Sequence, residues 1–188
     1  NKIYVTSSTT GSVTVIDANN SNSTTLVPAG IAIAATAIAV NPVTNKVYLI
    51  GVVGYVLDGA TNTTSPLTLG LVPFAVAVDT VTNKIYIANQ IGNSVTVVDA
   101  NNANATTTVT VGTNPQALAV NPVTNRIYVA NTGSTDVSVI DGSLNTRATV
   151  AAGTGPQAVA VNPVTNKIYV ANQNSNNVTV IDGATNVT

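Results

Sequence analysis

The chain has no cysteine, histidine, glutamate, methionine or tryptophan. Without cysteine there is no disulfide framework and no thiol chemistry. Without histidine the commonest general base and every histidine-based metal site are excluded. Charge is scarce too: 7% of the 188 residues are charged and the net charge is −1, against about 25% in a typical soluble domain. The six basic residues are scattered. No basic patch exists to neutralise phosphates, which argues against nucleic acid as the main partner. The longest apolar run, Leu26 to Val40, has 15 residues and is interrupted by Pro28 and Gly30. A membrane helix needs about 20 residues, so no membrane insertion is expected. No signal peptide is visible. The chain begins within a repeat and without methionine, so we expect an upstream leader that was removed or not included.

Apolar residues make up 45% of the chain, and its polar residues are mostly Asn, Thr and Ser. A surface of amides and hydroxyls suits an extracellular or cell-surface protein better than a crowded cytosol, where charge keeps proteins apart.

One pattern fills the sequence. Its Tyr-centred copies are Asn1-Lys2-Ile3-Tyr4-Val5, Asn45-Lys46-Val47-Tyr48-Leu49, Asn83-Lys84-Ile85-Tyr86-Ile87, Asn125-Arg126-Ile127-Tyr128-Val129 and Asn166-Lys167-Ile168-Tyr169-Val170. Each is followed by an apolar run closed by an acid: Asp17, Asp58, Asp99, Asp141 and Asp182, spaced 41, 41, 42 and 41 residues apart. A period near 40 with several short strands per unit predicts β-propeller blades. In the clearest unit, Gln116 to Val120 alternates with period two and reads as a strand. Asn121-Pro122-Val123-Thr124-Asn125 reads as a turn closed by an Asn that tolerates the left-handed conformation. Arg126 to Ala130, Val137 to Ile140 and Ala148 to Val150 read as three further strands. Each first strand carries an alanine pair (Ala37 and Ala39, Ala75 and Ala77, Ala117 and Ala119, Ala158 and Ala160). Small side chains fit the taper of a blade toward a central axis, which favours a propeller over an open β-helix. The expected fold is all-β: a β-propeller of four-stranded antiparallel blades, about 4.5 repeats of ~41 residues, with blades approximately at 1–30, 31–70, 71–112, 113–153 and 154–188. The basic slot shared by Lys2, Lys46, Lys84, Arg126 and Lys167 reads as a solvated turn position.

Tyr86-Ile87-Ala88-Asn89, Tyr128-Val129-Ala130-Asn131 and Tyr169-Val170-Ala171-Asn172, each after Asn-Pro-Val-Thr-Asn-Lys/Arg or close to it, resemble the YVTN β-propeller repeat. The resemblance covers essentially the whole chain. That family is similar to archaeal surface-layer and bacterial secreted or periplasmic proteins, within the wider lactonase-like group of seven-bladed propellers. It implies the fold. It implies no site, because the repeat residues are structural. Lactonase-like relatives would rely on acidic, basic or His residues near the axis, and no such set is found.

The chain starts at a second strand and stops just past a third, and its terminal repeats are as apolar as the internal ones. Ile3, Tyr4 and Val5 at one end, and Val178 and Val180 at the other, are therefore candidate terminal-edge contacts. Few Lys or Pro guards protect these edges. Either the chain is a piece of a longer propeller or it completes itself with another copy as a homo-oligomer or homopolymer. Low charge inclines the reading toward self-assembly.

The second repeat departs from the pattern. Its Tyr-to-Asp spacing is 10 rather than 13. Ile50-Gly51-Val52-Val53-Gly54-Tyr55 replaces the polar hairpin loop, and Ile31-Ala32-Ile33-Ala34-Ala35 lacks the Pro-x-Ala start. Repeat decay with a tighter hairpin is the plain reading. The sharper one is an assembly patch of Ile50, Val52, Val53 and Tyr55. Sequons at Asn22, Asn62, Asn104 and Asn177, with Asn19 and Asn186, make glycans possible. The recurring Asp reads as the cap of an Asx-type turn rather than a calcium ligand, because the Asp17 loop lacks the glycine and closing Glu of a calcium-hand loop. Asp79 and Asp136 read as turn substitutions. No catalytic, cofactor-binding or metal residue is singled out. The expected function is a non-enzymatic extracellular structural or interaction protein. The alternatives are a fragment of a ligand-binding propeller and, less favoured, a lactonase-like enzyme.

Overall fold

The structure is a computed structural model describing residues 1–7, 9–28 and 35–188. The apolar segment 31–34 of the second repeat lies outside the described residues. Among the described residues the chain is all-β, with no helix long and apolar enough to cross a bilayer. It divides into two compact units, Asn1–Thr68 and Leu69–Thr188.

The first unit holds two antiparallel sheets. One is β1 (Lys2–Thr6), β2 (Ser12–Asp17) and β3 (Ser23–Pro28); the other is β4 (Ala37–Asn41), β5 (Lys46–Ile50), β6 (Gly54–Asp58) and β7 (Thr64–Leu67). The second unit holds three. They are β8 (Pro73–Asp79) to β11 (Ala105–Thr110) through β9 (Lys84–Asn89) and β10 (Ser94–Asp99); β12 (Pro115–Asn121) to β15 (Arg147–Ala151) through β13 (Arg126–Asn131) and β14 (Asp136–Asp141); and β16 (Pro156–Asn162), β17 (Lys167–Asn172) and β18 (Asn177–Asp182). In every sheet the strands pair in chain order, as in a propeller blade. Within the second unit β8, β12 and β16 lie side by side. These are the strands with paired alanines, whose small side chains permit the approach. Their starts are bulged at Pro73, Pro115 and Pro156, where proline cannot donate to the ladder.

Local chemistry sets the turns. Asn45, Asn83, Asn125 and Asn166 close the first hairpins at φ of 52°, 55°, 51° and 51°, a left-handed conformation that Asn tolerates and branched residues resist. At the opening of those turns Asn41, Asp79, Asn121 and Asn162 accept the amides of Val43, Val81, Val123 and Val164 through Oδ1. Asp79 does what Asn does elsewhere. The recurring aspartates cap the second turns: Asp58 accepts from Ala60 and Thr61, Asp141 from Ser143 and Leu144, and Asp182 from Ala184 and Thr185. Asp17 and Asp99 accept from Asn19 and Asn101.

The cores lie between sheets. In the second unit Tyr86, Val95 and Val97 of one sheet meet Ile127, Val129 and Ile140 of the next. Tyr128, Val137 and Val139 meet Ile168, Val170 and Ile181 in the same way. In the first unit Val13 and Val15, with Tyr4, meet Val47, Leu49 and Leu57. In each of these cores a face with Tyr and two Val meets an aliphatic face of the next sheet, because side chains alternate along a strand. Burying one such aliphatic side chain contributes about 1.5–3 kcal/mol.

Candidate functional site

Two apolar sheet faces that are open among the described residues, one in each unit, are the candidate sites. On β17 and β18 the Tyr-Val-Val set is open: Tyr169 is 42% exposed, Val178 58% and Val180 43%. Its counterparts Tyr86, Val95 and Val97 are buried to 3% or less. On β1 the opposite face is open, with Ile3 53% and Val5 50% exposed, where Ile127 and Val129 are at 0%. Beside the C-terminal face runs a groove of about 380 Å³ lined by Gln157, Ala158, Asn172, Gln173, Asn177 and Val178. Its polar lining is amide, which can hydrogen-bond but cannot shuttle protons at neutral pH.

Tyr4 does not belong with Ile3 and Val5. The pleat turns it to the other side, where it packs on the core between the first two sheets. The second-repeat patch also divides. Ile50 is fully buried at the end of β5, and half-buried Tyr55 packs on the same core. Only Val52 and Val53, at the tip of a three-residue loop, point outward, 80% and 45% exposed. Asn22 sits in an exposed turn. Asn62 and Asn104 are half-buried at φ of 59° and 60°. Asn177 opens β18 and is exposed, with its Oδ1 accepting from Asn172 and Ser175.

The basic slot is not simply solvated. Lys2 donates to the carbonyl of Gly59, Lys84 to that of Gly142 and Arg126 to that of Gly183. In each case the cation reaches from its own sheet to the Asp-Gly turn of the next. Lys46, the last slot cation of the first unit, instead holds Asp58 of its own sheet. Lys167, the last of the second unit, holds Asp182 in the same way. A second missed role belongs to the Asn of Tyr-x-Ala-Asn. Asn89 Nδ2 donates to Ser94 and Thr96, Asn131 to Asp136 and Ser138, and Asn172 to Asn177 and Thr179. These bonds clamp the following hairpin. Gly51 stands at this place in the second repeat and carries no such amide. The recurrence of a Lys or Arg 57 or 58 residues before an Asp-Gly was the available signal for the first role.

Electrostatics follow from these contacts. Lys46 and the amides of Thr61 and Ala60 hold Asp58 down at about 2, and Lys167 with the amides of Ala184 and Thr185 does the same for Asp182. Burial pushes the Tyr48 phenol up to about 12. Burial, then the charges of Asp79 and Asp141, raises Tyr86. These phenols stay neutral at physiological pH. All seven acids of the chain are engaged in caps or clamps: Asp136 accepts from Asn131, and the other six cap turns.

No family model matches the sequence, and no curated protein matches it. Solved structures do resemble the fold. A dihydro-heme d1 dehydrogenase, NirN, aligns over 100% of this chain and 42% of its own, at 14% identity and a TM-score of 0.83. Hydrazine synthase of Kuenenia stuttgartiensis aligns over 81% of this chain and 47% of its own, at 21% identity and a TM-score of 0.73. Virginiamycin B lyase of Staphylococcus aureus aligns over 97% and 66%, at 12% identity and a TM-score of 0.72. The chain thus spans less than half the length of the first two. These neighbours are β-propeller proteins, and the likeness establishes the fold: this chain is built of β-propeller blades.

Proposed function

We propose that this chain is a non-enzymatic structural or interaction protein of the cell surface or extracellular space, built of YVTN-type repeats, that assembles with copies of itself into a ring or filament. The carrying observation is the contrast between Tyr169, Val178 and Val180, open to solvent, and Tyr86, Val95 and Val97, buried at the same places two sheets earlier. Contiguous exposed apolar surface of this kind marks an interaction site. Covering such side chains at about 1.5–3 kcal/mol each can offset an association cost of about 4–15 kcal/mol. The absence of His, Cys and Glu and the structural engagement of every Asp support a role without catalysis. Low charge and an amide-rich surface support the extracellular setting. Sedimentation velocity and electron microscopy of the native protein test the reading: assemblies are expected, and a monodisperse monomer at all concentrations contradicts it.

A second reading is favoured by the lengths of the structural neighbours, of which this chain covers 42% to 66%. In it the chain is part of a longer ligand-binding propeller whose further blades cover both open faces. An intact gene with two or three more repeats would favour this. A lactonase-like activity is the least supported, and a hydrolase screen tests it.

A further inference from the structure

We infer that the second unit docks shallowly on a lipid bilayer through Leu71, Val72, Phe74 and Ile91, an uncharged apolar tip that neither later sheet of the unit carries. This goes beyond the self-association proposed above and stands whether or not copies associate. Leu71, Val72 and Phe74 lie where β8 begins, and Ile91 in the turn between β9 and β10. All four are exposed, Leu71 at 69% and Ile91 at 66%. The two segments form one surface. The Gln90 amide donates to the Val72 carbonyl at 2.7 Å, and the Gly92 amide to the Leu71 carbonyl at 3.1 Å. Matching bonds recur in the later sheets: Thr132 to Asn114 and Gly133 to Thr113, then Gln173 to Gly155 and Asn174 to Thr154. They align the three loops. Where one sheet has Leu71, Val72 and Phe74, the next has Thr113, Asn114 and Gln116, and the last has Thr154, Gly155 and Gln157. Ile91 stands where those sheets have Gly133 and Asn174. Four polar or glycine positions have thus turned apolar together, and they include the one Phe of the chain.

Val72 adds an independent observation. Its φ is 53°, in the left-handed region, where Asn114 and Gly155 sit at 55° and 66°. Asn and Gly tolerate that region, and a β-branched residue there is an outlier. Burial does not explain the valine, because its side chain is exposed. A strained residue without a packing role points to a task at the surface. The chemistry of the tip selects lipid as its partner. Segments 68–78 and 85–98 contain no Asp, Glu, Lys or Arg, so no charge has to leave water there. Hydrocarbon also requires backbone groups to be paired within the protein. The carbonyls of Leu71 and Val72 already accept bonds, and Pro73 has no N–H to satisfy. A protein partner would have to bring a matching cavity, whereas a bilayer closes around protruding apolar side chains. The contact is one side chain deep, apart from the spanning helix that the composition argues against.

The chain has no tryptophan, so Phe74→Trp places a lone reporter in the tip. Leu144→Trp, in the exposed turn between β14 and β15 at the opposite end of the strands, is the control. With neutral phosphatidylcholine vesicles the emission of the Phe74→Trp chain is expected to move to the blue and to be quenched by lipids brominated in the acyl chain. The Leu144→Trp chain should not respond. Co-sedimentation of the wild type is expected to be insensitive to salt and to gain nothing from phosphatidylserine, because the tip holds no cation. A restored chain carries Leu71→Thr, Val72→Asn, Phe74→Gln and Ile91→Asn, residues that the same backbone holds in the sister sheets. It is expected to keep the wild-type circular dichroism, to melt no lower, and to bind vesicles at least about tenfold more weakly. Unshifted emission of the Phe74→Trp chain together with no co-sedimentation of the wild type would overturn the proposal. So would undiminished binding by the restored chain, or binding confined to phosphatidylserine vesicles at low salt. A restored chain that no longer self-associates, beside a wild type that ignores vesicles, would overturn bilayer docking and give the tip to a protein contact.

Discussion

Lys167 Nζ lies 2.8 Å from Oδ2 of Asp182, the capping acid of its own sheet, whereas Lys84, at the same place two sheets earlier, has crossed to the Gly142 carbonyl of the next sheet. One slot therefore has two arrangements, a turn carbonyl of the next sheet or the capping Asp of its own. The own-sheet state is an exposed ion pair and is worth little in stability.

This pairing has an acid signature. Asp58 and Asp182 are held at about 2, below the ordinary 3.8. A carboxyl with a depressed folded pKa adds stability above its unfolded pKa, and loses it as pH falls through the folded one. Stability is thus expected to decline between about pH 4 and pH 2. Carboxyl-resolved NMR titration checks it. Lys167→Met should move Asp182 upward but short of 3.8, because the amides of Ala184 and Thr185 still donate.

The two ends of the tyrosine series should respond differently to truncation. Tyr86→Ala opens a cavity under full burial and is expected to cost about 3–5 kcal/mol. Tyr169→Ala removes an open side chain and should cost the monomer well under half of that. Urea unfolding at low protein concentration separates the two. Equal costs would mean that Tyr169 is covered in the monomer.

Asn45 holds φ at 52°. Asn45→Gly should be close to neutral, while Asn45→Val is expected to lose about 1–2 kcal/mol, the penalty of a branched residue in the left-handed region. Thermal melting of the pair reads the difference.

Val52 and Val53 stand exposed at the tip of a three-residue loop. Val52→Asp with Val53→Asp is expected to change stability by no more than about 0.5 kcal/mol. Assembly through the blade faces predicts unchanged particle size by light scattering. Dissolution of the assemblies would instead give this tip the docking role.

The strands, the turns and the blade unit were legible because their causes are local. Period-two alternation sets a strand, and an Asn or Asp caps an amide two residues on, as Asn121 does for Val123. The candidate patch at Ile50 and Tyr55 was misread because apolar character alone does not tell a core position from a surface one: Ile50 ends a buried strand, and Tyr55 turns toward the core. The basic slot was misread for the same kind of reason. Near in sequence, Lys84 has only a turn around it; in space it has Gly142.

By itself, then, the sequence determined an all-β repeat, its hairpins and the two-faced character of each sheet, all of which depend on residues within one unit of about 41. Only the tertiary structure decided which faces are covered, that Tyr4 and Ile3 look opposite ways, and that a cation at position 2 ends on a carbonyl 57 residues later. Those outcomes depend on stacking one sheet on the next, where the partner is fixed by packing in space and not by distance along the chain.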